Sequence, residues 1–502
     1  MPLFCNLPNF GRLSCFLCSR IQNKHAMKES QSKLPVMHFE VPEEEVPFMT
    51  ASVPNLLDGL TTVQRRILFA LYADSDGSWI KADRITGLTM LYEPGNWKRI
   101  VETLYTLGKK GFIIEYMGGW DAMFPVEEGD AYRYCEGRMT RFAKDIIYFT
   151  DVSSWIDTYD GLNLEPTELP VLFPLLLAQG VEGTTECIRH QILPHNFNDL
   201  VDASIAVLKD EPFELYPDFS TGGFADCSYY DQGRLGGAVI VRAKIEKLDK
   251  NTLIIKELPY GQTVEKIVES LKKAKKYGLV KFLSIEVSDE NPEEPILHLS
   301  KYMSANRTIE DLYKHTDCKV ILRPNACVIK DGNPVLISVD SILRHNVERT
   351  KILLGKHLES MLKNLQDQLF SKTLDRIFFS KKVYLILGET SNGSWEEMKN
   401  AVFSKVCEFQ EELNRPVLMD DIEKLLQKPV QKMAGVEGKK YDERIVELEK
   451  QMEEVRHDIQ NLNAYTINWF ETLKKKYGEK YPRRTEITAR QIKEEKQAES
   501  NQ

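Results

Sequence analysis

The chain has 502 residues, of which 42% are hydrophobic, and its 66 Lys and Arg against 75 Asp and Glu give a formal net charge of -9. That length exceeds what one hydrophobic core supports and predicts three or four domains. The acidic balance excludes a protein that coats nucleic acid along its whole surface, although a local basic face stays compatible with it. The nine cysteines are scattered, which favours free thiols in a reducing compartment over a zinc site at Cys15 and Cys18.

Residues 1–45 are predicted to form an irregular leader, in which Met27 or Met37 offers an alternative start. No apolar run reaches the length of a membrane span, and Arg12 interrupts the apolar N-terminal stretch that comes nearest to a signal peptide. We therefore expect a cytoplasmic protein with no membrane partner.

Residues 46–203 combine short helical patterns with a strand. The run from Leu56 to Tyr72 becomes amphipathic after Asp58-Gly59, and helical segments follow at 81–90 and 97–109. The segment that starts at Gly111 has strand character. Three short helices followed by a strand predict a winged-helix DNA-binding domain.

Basic side chains in this region are candidates for phosphate contacts, which position a protein on DNA without specifying a sequence. The candidate DNA-binding residues are Arg65, Arg66, Lys81, Arg84, Lys98, Arg99 and Arg138. The alternative is a solvated charged face, because such charges are common on helix surfaces. Asp74 and Asp76 have the spacing of a metal-binding pair, but their Ser- and Gly-rich surroundings indicate a turn, so no metal ligand is predicted.

Tyr134 is the candidate catalytic residue, with Arg133 beside it. A tyrosine hydroxyl can attack a phosphodiester to form a phosphotyrosine bond, but it needs cations that stabilise the charge developing on phosphate. Arg133 can supply such a charge. An Arg-Tyr pair is by itself a weak signal, and the surrounding chain has to support it.

The rest of the chain predicts an α+β multidomain protein. Residues 204–338 mix strands and helices in a domain of their own. Residues 339–376 and 437–480 carry apolar residues in steps of three and four, which predicts a long antiparallel coiled coil. Residues 377–436 form a helical insert at its far tip, and residues 481–502 are expected to be a disordered tail.

A set of motifs in a fixed order resembles the breakage-reunion subunit of the type IIA DNA topoisomerases, the A subunit of bacterial topoisomerase IV and gyrase. The motifs are Asp58-Gly59-Leu60 with Val63-Gln64-Arg65-Arg66-Ile67-Leu68, Tyr92-x-Pro94, Ala131-x-Arg133-Tyr134-x-Glu136-x-Arg138, Tyr159-Asp160-Gly161, Pro194-His195-Asn196 and Phe219-x-Thr221-Gly222-Gly223. Together with the terminal coiled coil they cover roughly residues 50 to 485, and the ordered set is far more specific than any one motif.

The resemblance implies a winged-helix DNA gate, a tower domain at 204–338 and an exit gate at the coiled-coil tip. It implies a homodimer within an A2B2 heterotetramer that cleaves DNA through a 5'-phosphotyrosine link at Tyr134, assisted by Arg133. Magnesium and ATP are expected on the partner B subunit, which carries the ATPase and toprim domains, and no cofactor is expected in this chain. Because little sequence follows the coiled coil, relaxation or decatenation is expected rather than supercoiling.

Four positions depart from the family pattern near the chemistry. Ala51 and Thr61 stand where the family has an arginine and a lysine, and Glu93 and Gly95 stand where it has histidines. Thr184 falls where family members wedge an isoleucine into bent DNA. Each lost electrostatic contact costs roughly a hundredfold to a thousandfold in rate. A non-cleaving, DNA-binding paralogue is therefore the alternative.

Overall fold

The computed structural model describes residues 37–38, 52–74, 76–120, 134–152, 154–158, 160–184, 188–287, 291, 293–389, 394–427 and 438–488. The chain forms two compact units, residues 1–37 and residues 38–502. Of the first unit only Met37 is described, in the two-residue strand β1 (Met37–His38). All other described elements belong to the second unit, which mixes helices and strands as the predicted α+β class requires.

Three helices and three short strands open the second unit: α1 (Thr62–Asp74), β2 (Ile80–Lys81), α2 (Ala82–Thr89), α3 (Trp97–Lys110), β3 (Ile114–Met117) and β4 (Glu136–Met139). Strand β4 lies in the centre of the sheet and pairs antiparallel with β2 and β3. Val63, Ile67 and Leu71 of α1 are buried, as their helical spacing predicts. Helix α3 ends at Gly111, whose left-handed φ of 65° suits glycine.

The same core continues through two hairpins and three helices: α4 (Arg141–Ile146), β5 (Trp155–Asp157), β6 (Leu164–Pro166), α5 (Leu175–Gln179), β7 (Val181–Thr184), β8 (Arg189–Ile192) and α6 (Phe197–Leu208), with a 3-10 turn at Phe149–Asp151. Aromatic rings fill its centre, with the Phe142 centroid 5.2 Å from that of Phe173 and 5.6 Å from that of Phe197. Helix α6 is capped by Asn196, whose side chain accepts from the backbone N–H of Asn198 at 2.9 Å.

Most of the β-structure lies between residues 224 and 336: β9 (Phe224–Tyr229), a 3-10 turn (Asp231–Gly233), β10 (Ala238–Arg242), β11 (Lys244–Asp249), β12 (Thr252–Glu257), α7 (Val264–Lys276), β13 (Ser284–Glu286), β14 (Ile296–His298), α8 (Ala305–His315), β15 (Lys319–Leu322), β16 (Cys327–Lys330) and β17 (Asn333–Leu336). The sheet β11-β12-β14-β13 has a core of its own with α7 and α8.

The second four-stranded sheet has the order β15-β10-β9-β18, in which β18 (Glu486–Ile487) comes from the end of the described chain. Its inward side chains Ala225, Val239 and Val241 join the first core. The domain boundary predicted at residue 204 therefore does not divide the two cores. Strand alternation gives β9 and β10 an apolar face, and that face packs against the preceding part of the chain.

Helices form the last third: α9 (Val339–Ser380), α10 (Ile386–Glu389), α11 (Trp395–Cys407), α12 (Met419–Leu426), α13 (Gly438–Gln460) and α14 (Leu462–Tyr477), with 3-10 turns at Val383–Leu385, Gln410–Glu412 and Gly478–Lys480. Helices α9 and α13 run antiparallel: Phe379 near the end of α9 lies beside Tyr441 near the start of α13, with ring centroids 6.5 Å apart, and Gly355 earlier in α9 lies against Leu462, just beyond the end of α13. A third core joins the end of α9 to α11 and α12.

The second helix predicted for the coiled coil is interrupted. Asn461 has φ -108° and ψ 39°, outside the helical region, and its side-chain amide donates to the carbonyl of His457 at 3.1 Å. After this break Phe470 and Leu473 of α14 enter the first core. The continuous helix predicted for 437–480 is therefore two helices, and after the break α14 packs on α6 as well as on α9.

Residues 481–488, which the sequence places at the start of a disordered tail, are instead bound to the first core. The Tyr481 ring stacks on Phe112 with centroids 4.8 Å apart. The carboxylate of Asp218 accepts from the backbone N–H of Thr485 at 2.8 Å, and β18 pairs in parallel with β9. An aromatic anchor and a strand pairing override the polar composition of this segment. Residues 489–502 lie outside the described part of the chain.

Candidate active site and nucleic-acid interface

Tyr134 lies on the surface in a turn, two residues before strand β4, and it is 76% exposed. The chain around it is fixed on both sides. The backbone N–H of Ala82, the first residue of α2, donates to the carbonyl of Cys135 at 2.9 Å. On the other side Gly118 approaches so closely that a Cβ there would lie 2.9 Å from the Tyr134 carbonyl oxygen. The backbone that follows Tyr134 is thus held against α2 and Gly118, and the phenol is exposed to solvent. Arg133 lies outside the described residues.

The side chains of β4 alternate between the two faces of the sheet. Cys135, Gly137 and Met139 are buried, and burial raises the pKa of the Cys135 thiol, although the charge on Lys81 opposes that shift. Glu136 and Arg138 lie on the more open face, and the same alternation assigns Tyr134 to that face.

Each charged residue of this open face has a partner on a neighbouring strand. Lys81 Nζ lies 3.0 Å from Glu136 Oε1, and Arg138 Nε lies 3.2 Å from Glu115 Oε1. The Arg138 guanidinium also stacks over the ring of Trp79 at 4.3 Å from its centroid. We call this set, Lys81, Glu136, Arg138 and Glu115, the charged row.

The sequence motifs include Glu136 without a role for it, and they do not include Glu115 or Trp79. The period-two pattern of Tyr134-Cys-Glu136-Gly-Arg138 was the available signal, because it places the polar residues on one face of a strand. Their cross-strand partners depend on a register that the sequence does not state.

Arg65 lies inside the fold. It is 7% exposed, and its guanidinium donates to both carboxylate oxygens of Asp58 at 2.7 and 3.2 Å. Burial alone lowers the pKa of Arg65, but the Asp58 carboxylate outweighs that effect and the net shift is upward. Asp58 also accepts from the backbone N–H groups of Leu60 and Leu169 at 3.0 and 3.1 Å. A DNA contact by Arg65 would require this ion pair to open.

Arg66 is held between two carboxylates. Its Nη1 donates to Glu93, and its Nε and Nη2 donate to the two oxygens of Glu165 at 2.5 and 2.6 Å. The side chain of Arg66 is 16% exposed and that of Glu165 is 5% exposed. The two arginines of α1, each paired to carboxylates beneath the surface, are called the α1 arginine pair.

The other predicted DNA contacts lie nearer to solvent. Arg84 is 63% exposed and pairs with Asp74 at 2.8 Å. Lys98 is exposed in the first turn of α3. Arg99 beside it is half-buried and donates to Ser52 Oγ at 3.2 Å. Burial, with the nearby charge of Arg66, lowers the pKa of Arg99.

Comparison with known proteins decides the family. The family of the A subunits of DNA gyrase and topoisomerase IV matches residues 51–474. The chain belongs to this family. It is 33% identical over 439 residues to the A subunit of DNA topoisomerase 4 from Borreliella burgdorferi, covering 87% of this chain and 69% of that protein. It is 27% identical to the DNA gyrase A subunits of Staphylococcus epidermidis over 352 residues and of Staphylococcus aureus over 349 residues, covering 39% of each of those proteins.

Several motifs of this family have structural roles in the fold. His195 is 2% exposed, its Nε2 lies 2.9 Å from the Tyr230 hydroxyl, and burial lowers its pKa to about 4. Gly223 has a φ of 83°, and a Cβ there would lie 2.6 Å from the Arg242 carbonyl oxygen. Asp160 accepts from the backbone N–H of Leu162 at 3.1 Å and turns the β5–β6 hairpin. Tyr159 lies outside the described residues.

Four of the five departures from the family pattern lie in the described part of the chain. The Thr61 backbone N–H donates to Gln64 Oε1 at 3.1 Å. Gly95 has a φ of 82° with no heavy atom within 4 Å of where a Cβ would lie. Thr184 ends β7, paired in register with Arg189. Glu93 binds Arg66, as described above, and Ala51 lies outside the described residues.

Among the described residues, the acidic side chains close to Tyr134, Glu136 and Glu115, are engaged in ion pairs. In the described part of the chain no group of three or more His, Cys, Asp or Glu side chains is arranged to hold a metal ion. The pair Asp74 and Asp76 does not converge either, since Asp74 binds Arg84 and Asp76 accepts from the backbone N–H of Ser78 at 3.0 Å. Across the described ranges no helix is long and apolar enough to span a membrane.

Proposed function

We propose that the protein is the A subunit of an ATP-dependent type II DNA topoisomerase, in which Tyr134 cleaves and rejoins duplex DNA. The observation that carries this proposal is the placement of Tyr134. In a chain of the gyrase and topoisomerase IV family, it is 76% exposed and lies two residues before a strand that is paired on both edges. Such a support holds a nucleophile in one position, which is a large part of catalysis by orientation.

The proposed reaction transfers a phosphoryl group. The Tyr134 hydroxyl oxygen attacks the scissile phosphorus, a bond to the tyrosine forms, and the bond to the 3' oxygen of the preceding nucleotide breaks. The phenolic proton passes to water, and the departing 3' oxygen takes a proton from water. Arg133 is proposed to stabilise the added charge on phosphate. Rejoining reverses these steps.

The architecture supports the domain roles that the sequence predicts. We interpret helices α1 to α3 with the β2-β4-β3 sheet as a winged helix, the sheet with α7 and α8 as a tower, and α9 with α13 as a coiled coil. The helices α10 to α12 would form the exit gate, through which two copies pair. The expected assembly is an A2B2 heterotetramer on DNA.

The partner B subunit is proposed to bind the magnesium and the ATP that the reaction uses. Among the described residues, the carboxylates near Tyr134 are paired with Lys81 and Arg138. As the family resemblance implies, magnesium and ATP are proposed to bind to the B subunit, and the whole enzyme is proposed to relax or decatenate DNA in the cytoplasm.

A non-cleaving, DNA-binding paralogue is the second candidate. The pairing of Arg66 with Glu93 favours it, because one family cation is neutralised by a residue that replaces a family histidine. Thr61 and Gly95 add no charge in their places. Such a paralogue would have the gate fold and would bind duplex DNA without cleaving it.

The deciding experiment measures covalent protein–DNA adduct trapped by denaturant, with a topoisomerase IV B subunit, magnesium and negatively supercoiled plasmid. We expect wild type to form adduct slowly, Arg133→Ala to form less, and Tyr134→Phe to form none. Equal signals from wild type and Tyr134→Phe would establish the paralogue instead. Ala51→Arg combined with Gly95→His should raise the wild-type rate, which would locate the slowness at the departures.

A further inference from the structure

Most of the described cations predicted to bind DNA are already bound to protein groups. Arg65 is buried on Asp58, Arg66 is enclosed by two glutamates, and Arg138 is stacked on Trp79 and paired with Glu115. Moving any of them onto a phosphate would expose a buried carboxylate or break a stacked contact. These side chains are therefore poor candidates to meet the charge that develops at Tyr134.

Lys81 differs from them in both position and exposure. Its Cα pairs with that of Glu136, two residues after Tyr134, and the next residue, Ala82, is hydrogen-bonded to Cys135. If the ladder continued unchanged to Tyr134, the two residues would be diagonal neighbours, which ideal antiparallel geometry puts about 7 to 8 Å apart. Tyr134 is exposed and Cys135 after it is buried, so the alternating burial of β4 continues to Tyr134 and puts its side chain on the same side as that of Lys81. Both side chains are long enough to extend to one phosphate there.

The bond that now holds Lys81 is easily exchanged. The Lys81 side chain is 52% exposed and its partner Glu136 is 26% exposed, so the ion pair is screened by water and contributes about 1 kcal/mol or less to stability. An ammonium group has three donors on a flexible stem. It can keep one contact with Glu136 while another donor meets a phosphate oxygen.

We propose that Lys81 is a catalytic residue of the DNA cleavage reaction, contacting a non-bridging oxygen of the phosphate that Tyr134 attacks, with Glu136 as its positioning residue. The proposal rests on the proposed function and deepens it. Lys81 carries a positive charge, whereas Thr61 and Gly95, which replace family residues near the chemistry, carry none. As Tyr134 attacks and the 3' oxygen leaves, charge accumulates on the non-bridging oxygens, and the lysine stabilises it without giving up its own proton.

The first test compares single-turnover adduct formation by four variants under the conditions given above. We expect Lys81→Gln to slow cleavage about a hundredfold, as the loss of one oxyanion donor does, and Lys81→Arg to retain most of the rate. Lys276→Gln removes an exposed lysine from the last turn of α7 and serves as the matched control. Tyr134→Phe sets the background.

The second test asks which phosphate Lys81 meets. Replacing the scissile phosphodiester with an uncharged methylphosphonate removes the partner that Lys81 is proposed to contact. On this substrate the cleavage rate of Lys81→Gln should be lower than that of wild type by only about threefold or less. Without the phosphate charge, wild type no longer gains an attraction that the variant lacks. A defect of equal size on both substrates would show a structural role and overturn the inference.

The outcomes separate this inference from the proposed function. If wild type exceeds Tyr134→Phe while Lys81→Gln cleaves as fast as wild type, the topoisomerase function holds and Lys81 is not catalytic. If wild type equals Tyr134→Phe, both are overturned. Unchanged thermal unfolding of Lys81→Gln is expected from its weak ion pair and excludes misfolding as the cause of a slow rate.

Discussion

The α1 arginine pair and the charged row contain the same kinds of side chain, yet the fold uses them in opposite ways. Arg65 is 7% exposed and bound to a carboxylate that is 1% exposed, whereas Lys81 is 52% exposed. Breaking a buried pair leaves an uncompensated charge, while a surface pair exchanges partners at little cost. Burial, and not residue type, therefore determines which cations can reach DNA.

The largest expected effect tests the buried half of this comparison. Asp58→Asn leaves the guanidinium of Arg65 buried without its counter-charge, and it also weakens the acceptor for the N–H groups of Leu60 and Leu169. We expect the first core to lose about 3 to 5 kcal/mol of stability, seen as a lower thermal unfolding midpoint.

The matched control is Asp74→Asn, which removes the carboxylate from the exposed pair with Arg84. It should change the midpoint by an amount equivalent to less than about 1 kcal/mol. Similar losses from Asp58→Asn and Asp74→Asn would mean that burial does not separate the two classes of ion pair.

Acid should destabilise the same interior. Burial lowers the pKa of both His190 and His195 from 6.5 to about 4. Between these two pH values the unfolded chain therefore binds protons at these histidines that the folded chain does not bind. The stability from these neutral histidines is complete above pH 6.5 and declines as pH falls towards 4. The unfolding midpoint should therefore drop between pH 7 and pH 5.

His195→Gln should make that pH dependence shallower, because one of the two buried histidines no longer takes part. His457, which is exposed, provides the control, and His457→Gln should leave the profile unchanged. A wild-type midpoint that stays flat from pH 7 to pH 5 would contradict the assignment of neutral, buried imidazoles.

The exposed half of the comparison predicts a smaller effect on DNA affinity. Reversing the charge at both Lys98 and Arg99 should weaken binding to a mixed-sequence duplex by about tenfold or more and lower the slope of log affinity against log salt by about two. Arg65→Gln should leave that slope unchanged if the protein stays folded, since the buried guanidinium releases no counterions. An unaltered slope in the double reversal would identify the start of α3 as a solvated face.

The smallest expected effect concerns stability at the charged row. Glu136→Gln removes the partner of Lys81 from a half-exposed pair, and we expect a stability change of less than about 1 kcal/mol. A loss comparable to that of Asp58→Asn would show that the row is part of the fold's support rather than an exchangeable surface.

Part of this fold follows from sequence periodicity. The apolar spacing in α1 predicts the buried face that holds Val63 and Ile67, and the repeat around Leu354 and Leu358 predicts the buried stripe of α9. Local patterns of this kind report a helix and its inward side, because apolar side chains must leave water wherever they lie in the chain. The order of motifs likewise sufficed to indicate the family.

Tertiary structure alone decided which charges are available. Glu93 and Glu165 reach Arg66 from 27 and 99 residues further along the chain, and Tyr481 anchors a segment whose composition suggests disorder. No local pattern encodes these pairings, since they depend on which elements meet in space. The sequence by itself determined that Tyr134 and several cations are present in this region. The packing of the chain determined that Lys81 stays exposed while Arg65 and Arg66 are enclosed. Only the folded state sets the distance of each charge from water and from its counter-charge.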